Sequence, residues 1–244
     1  MANKDDSMAA VYASKAALRK SMLRTLRGIS EADLASQSQE VTRLLFEQPF
    51  FTKASTVGCY LNMAKGELRT DGIVKELLAC TLAVGRMQSD DPAGKALYTP
   101  YLPPSASQPG EPTPLMDMLR LYNTQDLESC PLDKWGILDP GTHRRDVENQ
   151  PREDVMDPSA PPLDVILVPG VAFDAQCNRL GRGKAFYDTF LAKYSAARTR
   201  PLLVALALAP QVIDEDVPVT DSDFTLDAVL SPAGLVWREG AKPK

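Results

Sequence analysis

Hydrophobic side chains recur at helical spacing in three stretches of the first third of the chain. In residues 14–27 they share one face and basic residues occupy other positions, which predicts an amphipathic helix. Ser30, followed three residues later by acidic Asp33, is typical of a helix N-cap, and Pro49 ends the helix that follows. A third helix is predicted to begin at Thr70 and Asp71. The three apolar faces consist of Leu18, Met22, Leu23 and Leu26; of Leu34, Val41, Leu44 and Leu45; and of Ile73, Val74, Leu77, Leu78 and Leu82.

Short apolar runs between and after these helices predict strands. The run at 164–170 is a buried strand by its composition, since four consecutive branched apolar residues precede a Pro-Gly pair. Residues 116–122 instead alternate apolar and polar side chains, as a half-exposed strand should. Further strands are predicted at 56–61, 96–102, 202–209 and 227–230, and a further helix at about 184–194.

Strands that alternate with helices indicate an α/β fold with a mainly parallel central sheet. We expect a single three-layer domain over residues 14–237, with flexible ends at 1–13 and 238–244. Two proline-rich stretches, near 103–114 and 141–162, are interpreted as loop insertions in this domain, the second as a long surface loop or a disordered segment.

The composition excludes several classes of protein. Hydrophobic residues make up 44% and charged residues 24%, and the net charge of −5 disfavours general binding to nucleic acid. No apolar run approaches the roughly 18 residues of a membrane span, so we expect no membrane partner. The basic helix near the N-terminus would suit a mitochondrial transit peptide, but Asp5 and Asp6 argue against one, so a cytoplasmic location is expected. Four scattered cysteines and the single His143 argue against a zinc site.

Candidate chemistry concentrates in the segment 178–188, which follows the 164–170 strand and leads into a helix. Three cations lie within six residues there, with two glycines among them. Glycines allow a ligand to approach the backbone, and a helix N-terminus adds free N–H groups and a positive dipole end, a combination that suits a polyphosphate. Neither a Walker loop nor the dinucleotide fingerprint fits the glycine positions. From these residues alone, a solvated basic turn at a helix start is an equally good interpretation.

The same segment resembles the 5-formyltetrahydrofolate cyclo-ligase (methenyltetrahydrofolate synthetase) family. That family carries P-G-x-x-F-D-x-x-x-x-R-L-G-x-G-x-G-Y-Y-D, which residues 169–188 match at most positions. Three further segments agree in the same order: 15–19, 60–68 and the Trp-Gly-Ile of 135–137. The resemblance covers about residues 14 to 232 and implies the sugar-phosphate isomerase/CoA-transferase-like fold.

The resemblance implies ATP- and Mg²⁺-dependent cyclisation of 5-formyltetrahydrofolate to 5,10-methenyltetrahydrofolate, with release of ADP and phosphate through a phosphorylated formyl (iminium phosphate) intermediate. Such a transfer needs positioning and charge neutralisation more than a protein nucleophile. The partners expected are ATP and the folate, possibly polyglutamylated, and the chain is expected to be a monomer. The catalytic cations implied are Lys15, Arg19, Arg182 and Lys184; the ATP-binding residues are these four with Arg179, Leu180, Gly181, Gly183, Ala185, Phe186 and Tyr187; the metal ligands are Asp188 and Asp227.

For the folate, the resemblance implies contacts by Met63, Glu67, Trp135 and Tyr187. A carboxylate can accept paired hydrogen bonds from the amino group and ring N–H of a pterin, which is a physical reason to expect a glutamate at position 67. Several interpretations without function stay open: Lys15 and Arg19 on a solvated helix face, Asp227 as an ordinary strand start, Trp135 as core and Glu67 as an exposed loop carboxylate. The sequence also departs from the family pattern in the spacing from Met63 to Glu67 and at Arg69, Tyr101, Ala185 and Phe186.

Two other classes of function are compatible with the chain. A relative without catalysis would bind folate or nucleotide but not turn it over; retention of the implied cations and carboxylates together argues against it. A sugar-phosphate isomerase or CoA-transferase activity would rest on the analogy of folds alone, which is weak evidence of function.

Overall fold

Alternation of side chains along the strands divides the apolar residues between the two faces of one sheet. The computed structural model describes residues 4–84, 94–103, 115–148 and 150–242. Its sheet consists of β1 (Thr56–Cys59), β2 (Ala96–Tyr101), β3 (Asp117–Leu121), β4 (Val165–Val168), β7 (Leu202–Leu206), β8 (Ala228–Ser231) and β9 (Gly234–Trp237), and β5 (Ala172–Phe173) pairs with β6 (Arg179–Leu180) in a separate hairpin. The helices are α1 (Lys4–Arg27), α2 (Glu31–Phe46), α3 (Pro49–Lys53), α4 (Asp71–Val84), α5 (Thr124–Glu128) and α6 (Phe186–Ala197), with a 3-10 turn at Ala209–Gln211.

The strand order places a crevice between β1 and β4. The order is β3-β2-β1-β4-β7-β8-β9; the five strands from β2 to β8 are parallel, and the edge strands β3 and β9 are antiparallel to their neighbours. From β1 the chain moves outward to β2, whereas from β4 it moves outward in the other direction to β7 and β8. Open α/β sheets bind ligands at the carboxyl ends of the strands where this direction reverses.

Two cores make the fold three-layered. Val165 and Leu167 of β4 face one core, which contains the buried faces of α1, α2 and α4. Ile166 and Val168 face the other core, which α6 covers. The prediction of three layers around a mainly parallel sheet is therefore confirmed. The predicted N-cap at Ser30 is also confirmed, because the Ser30 hydroxyl accepts the N–H of Asp33 at 3.0 Å.

The first helix begins at Lys4, well before the predicted start at residue 14. Tyr12 is 55% exposed, and residues 8–14 are mostly exposed as well, so burial does not explain the extension. The sequence there is rich in alanine, which has the highest helix propensity, and acidic residues near a helix N-terminus interact favourably with its dipole. Residues 4–13 are therefore helical, where a flexible end was expected. At the other end of the chain, the first residue of the predicted flexible segment 238–244 is hydrogen-bonded, because the Arg238 N–H donates to the Asp227 carbonyl at 2.9 Å.

The segment 141–162 is irregular, as expected of a loop, but part of it belongs to the interior. Arg152 forms a fully buried ion pair with Asp126 of α5, with both N–O distances at 2.6 Å. Arg152 also donates to the carbonyls of Pro140 and Arg120, each at 3.0 Å. Val155 is completely buried. The interpretation of 141–162 as a long surface loop or a disordered segment is therefore wrong for this part of it. Of the other proposed insertion, near 103–114, residues 104–114 lie outside the described residues.

None of the helices in the described part of the chain combines the length and apolar character that crossing a membrane requires. Cys59, Cys130 and Cys177 are buried free thiols.

Candidate functional site

Two loops meet at the crevice between β1 and β4. One follows β1 and contains Gly66 and Glu67; the other follows β4 and runs to the start of α6. Arg182 joins them: its Nη2 donates to the Gly66 carbonyl at 3.4 Å, and its Nε lies 3.8 Å from Oε1 of Glu67. The segments predicted to hold phosphate and folate are thus neighbours, although 116 residues separate this hydrogen-bonded pair in sequence.

The loop after β4 is shaped by the β5–β6 hairpin and by three special backbone positions. Gly170 has no room for a side chain, because a Cβ there would lie 2.4 Å from the Phe173 ring. Gly183 has φ +92°, and Ala185, at the N-cap of α6, has φ +52° in the left-handed region that favours glycine. Around these positions Arg182, Gly183, Lys184 and Ala185 are exposed, Gly181 and Phe186 are half-buried, and Leu180 is buried.

One face of α1 lies against this loop. The Nε of Arg19 donates to the Gly181 carbonyl at 2.8 Å, and a Cβ on Gly183 would lie 3.3 Å from the Arg19 guanidinium carbon. One turn earlier, Lys15 is buried and forms an ion pair with Asp223. The structure therefore brings the Lys15–Arg19 face to the predicted phosphate loop; neither residue lies on a free solvated face.

Arg179 and Asp188 pair with each other. Arg179 Nη2 donates to Oδ2 of Asp188 at 2.8 Å, and its Nη1 donates to the Pro169 carbonyl at 3.3 Å. The other Asp188 oxygen accepts the N–H of Phe224 at 3.1 Å. Since only 6% of the Arg179 side chain is exposed, its charge is largely engaged in holding the loop to α6.

Asp227 is not brought together with Asp188. Its Oδ2 accepts from Arg200 at 2.7 Å and from the Leu203 N–H at 2.8 Å, and its Oδ1 lies 3.3 Å from Arg238. These contacts fix the amino ends of β7 and β8, away from the crevice at the carboxyl ends. Across the described ranges, no three or more His, Cys, Asp or Glu side chains are grouped so that they could hold a metal ion by themselves.

Glu67 is a buried carboxylate that interacts electrostatically with two buried tyrosines, Tyr60 and Tyr187. It is 7% exposed, and its Oε2 accepts the Met63 N–H at 2.9 Å. Burial raises the pKa of the Glu67 carboxyl, although the Met63 hydrogen bond and Arg182 oppose that shift. Burial, Cys59 and Glu67 raise the pKa of Tyr187 well above its usual value, and burial and Glu67 do the same to the pKa of Tyr60. The Tyr187 hydroxyl is buried without a hydrogen-bond partner among the described residues, whereas Tyr60 donates to the Leu68 carbonyl at 3.2 Å.

Trp135 lies in the chain between α5 and β4. It is 50% exposed, with the Lys134 ammonium 4.4 Å from its ring centroid, so it is not a core residue. Its neighbours Leu132 and Gly136 line a cavity of about 410 Å³, together with Asn62 of the loop after β1. Arg69, where the family has an acid, pairs with Glu31 of α2.

Asp223, the ion-pair partner of Lys15, is a residue that sequence reasoning did not single out. Its partner Lys15 is 208 positions away, and no motif marks the Asp-Ser-Asp-Phe segment in which it lies. Only the packing of α1 against the chain before β8 brings the two together.

Comparisons with known proteins identify a family that matches most of the chain. A model of the 5-formyltetrahydrofolate cyclo-ligase family matches residues 11–232. An Arabidopsis thaliana protein named "5-formyltetrahydrofolate cyclo-ligase, mitochondrial" is 28% identical over 95% of this chain and 78% of its own length. The Mus musculus 5-formyltetrahydrofolate cyclo-ligase is 29% identical over 91% of this chain and 97% of its own length. The fold is shared with the NMR structure of Aquifex aeolicus 5,10-methenyltetrahydrofolate synthetase, at a TM-score of 0.64 and 24% identity, over 94% of this chain and 95% of that chain.

Proposed function

Because this chain belongs to the 5-formyltetrahydrofolate cyclo-ligase family, we propose that it uses ATP to convert 5-formyltetrahydrofolate to 5,10-methenyltetrahydrofolate, releasing ADP and phosphate. The observation that carries the proposal is the meeting of two loops at the crevice, where Arg182 lies against Glu67. A cation suited to phosphate and a buried carboxylate suited to a pterin are adjacent, as a reaction between ATP and a folate requires.

The reaction transfers a phosphoryl group to the formyl oxygen. A bond forms between that oxygen and the γ-phosphorus, and the bond from phosphorus to ADP breaks. The neighbouring folate nitrogen then attacks the activated carbon and loses its proton, and the carbon–oxygen bond breaks to release phosphate. The oxygen that leaves in phosphate is therefore the formyl oxygen.

The exposed part of the loop supplies the phosphate contacts in this proposal. Arg182 and Lys184 are exposed cations beside the N-terminus of α6, and the Arg19 guanidinium lies against Gly183. Cations fixed where negative charge develops stabilise a phosphoryl-transfer transition state. Arg179 has a different part: through Asp188 it holds the loop in place.

Glu67 would hold the pterin edge, and Tyr187 would line the same pocket. The Glu67 side chain is fixed by the Met63 N–H, and the unpartnered Tyr187 hydroxyl is available to a ligand. Trp135, whose ring is exposed, would be a further folate contact. Ala185, which stands where the family has glycine, adopts a left-handed conformation that glycine favours.

Magnesium fits this site only as a metal shared with ATP. A hard cation prefers carboxylate and phosphate oxygens and usually keeps several waters, so one protein carboxylate is enough. Asp188 is the residue that would hold it, since it lies at the start of α6 beside the phosphate loop, whereas Asp227 lies at the amino ends of β7 and β8. When bound, the metal would neutralise charge on the phosphates. The cytoplasmic location and the monomeric state stay predictions.

The test is turnover of 5-formyltetrahydrofolate with and without ATP and magnesium. The purified chain should form methenyl product, followed by its absorbance, only when both are present. A folded protein that binds folate or nucleotide and yields no product would refute the enzyme and favour a binding protein.

A further inference from the structure

A shallow groove with a basic lining runs along one flank of α1. Its volume is about 310 Å³, and the residues that line it lie three or four positions apart on the helix: Ala16, Arg19, Lys20, Leu23 and Arg27. We call it the α1 groove. Its described lining carries three cations and no carboxylate, although the chain as a whole has a net charge of −5. Such a surface attracts an anionic ligand.

Two of these three cations are not engaged by the protein. Lys20 and Arg27 are exposed, and neither forms an ion pair with another residue in the described part of the chain. Arg19, in contrast, donates to the Gly181 carbonyl at 2.8 Å and belongs to the phosphate loop. Two unpaired cations in one groove suit a ligand that carries several negative charges.

The α1 groove lies beside both loops of the candidate site. Near one end, Arg19 contacts the loop after β4. Toward the other end, a Cβ on Gly66 would lie 3.8 Å from the Cβ of Leu26, which precedes Arg27 in the helix. From Arg19 to Arg27 the helix rises about 12 Å. Since Gly66 is the neighbour of Glu67, a ligand that extends from Glu67 toward α1 meets the groove.

We propose that the α1 groove binds the oligo-γ-glutamyl tail of a polyglutamylated folate; this inference rests on the proposed function. Each γ-linked glutamate adds one carboxylate, so a tail of several residues presents a row of negative charges. Lys20 and Arg27 pair with these carboxylates. Leu23, which lies between them in the groove, contacts the methylene groups of the tail.

The other cavity near the site suits a polyanion less well. This cavity, of about 410 Å³, is lined by Lys75 but also by Asp71 and Glu128. The carboxylates of a tail would meet like charges there, which repel. The sign of the lining charges therefore favours the α1 groove.

The first test compares the monoglutamate and triglutamate forms of 5-formyltetrahydrofolate, with each Kd measured by calorimetry without ATP. Wild type should bind the triglutamate about three- to thirtyfold more tightly, the range expected of two exposed ion pairs. A variant with both Lys20→Gln and Arg27→Gln should lose most of this advantage, and its Kd for MgATP should stay within about twofold of wild type. Arg24→Gln is the matched control, because Arg24 is exposed on the same helix outside the groove, and it should keep the advantage.

Three results of this comparison would overturn the inference. The first is an equal Kd for the two folates in wild type. The second is a control that loses the advantage as the double variant does. The third is a double variant that binds MgATP more weakly and still prefers the triglutamate, because its cations would then belong to the nucleotide site.

The second test uses salt and turnover. The triglutamate advantage should shrink as the salt concentration rises from about 0.05 to 0.5 M, because exposed charges are screened; an advantage that does not change with salt overturns the inference. Methenyl product formed without any triglutamate preference refutes the inference and leaves the proposed function standing. If neither folate yields product, the proposed function is refuted instead. Titration with tri-γ-glutamate alone at low salt then decides the inference: binding that the double variant loses supports it, and the absence of binding to wild type overturns it.

Discussion

Replacing Glu67 by Gln should weaken folate binding and leave nucleotide binding unchanged. In the structure the Met63 N–H donates to Oε2, so the amide oxygen of Gln would take that position. The amide NH₂ would then occupy the place of Oε1, where Arg182 and the pterin edge both present donors. One charge-assisted hydrogen bond is lost and a donor faces donors, which together cost about 2–4 kcal/mol, or roughly 30- to 1000-fold in Kd.

The assay is a pair of titrations, one with 5-formyltetrahydrofolate and one with MgATP, on wild type and variant. Glu148→Gln, which changes an exposed carboxylate in another loop, is the matched control and should bind both ligands as wild type does. Equal folate affinity in Glu67→Gln and wild type would refute the assignment of the pterin anchor. A parallel loss of MgATP affinity would instead indicate that Glu67 acts through Arg182.

The stability of Glu67→Gln tests the same burial argument without any ligand. Because burial raises the pKa of Glu67, its contribution to stability is fully present below about pH 4.5 and is lost as the pH rises through the raised pKa. A neutral Gln avoids that loss. The free energy of unfolding of the variant, measured by urea denaturation, should therefore rise relative to that of wild type as the pH increases above about 4.5. A variant that instead loses stability relative to wild type as the pH rises would contradict the burial of the charge.

Three further substitutions test other parts of the molecule. Lys184→Ala should lower kcat about a hundredfold, a loss of about 3 kcal/mol, with no change in Tm because Lys184 is exposed; wild-type turnover would remove it from the phosphate site. Ala185→Gly should raise the free energy of unfolding by about 0.5–1 kcal/mol, since it relieves a left-handed alanine at some cost in unfolded-chain entropy; a lower value in urea denaturation would refute the strain. Arg152→Ala should lower the free energy of unfolding by about 3–5 kcal/mol, because Asp126 then stays buried and unpaired. Arg145 is exposed in the same loop, so Arg145→Ala should lower that free energy by less than about 1 kcal/mol. Equal effects of the two substitutions would place the ion pair outside the interior.

The sequence predicted the parts of the fold that follow from periodicity. The apolar run of β4 and the Ser30 cap are local signals, and both lie where expected. The β5–β6 hairpin has only two residues in each strand, too few for a period to be detected. Arg152 and Asp126 are charged, so the pattern assigns them to the surface, and only their mutual pairing allows burial.

At the site, motif and geometry contribute different information. The motif indicated which loop carries cations but not which cation is free: Arg179 is paired with Asp188, while Lys184 is exposed. The resemblance implies that Asp227 is a metal ligand, yet its carboxylate is paired with Arg200 and Arg238. Such partners are brought together by tertiary packing, which no local pattern encodes.

The most direct test of the proposed reaction follows the formyl oxygen itself. 5-Formyltetrahydrofolate labelled with ¹⁸O in the formyl group is incubated with the chain and MgATP, and the released phosphate is analysed by mass spectrometry while methenyl product is measured by absorbance. Phosphoryl transfer to the formyl oxygen predicts one labelled phosphate for each methenyl product formed. Unlabelled phosphate alongside methenyl product would contradict the phosphorylated intermediate, and the absence of product would contradict the activity.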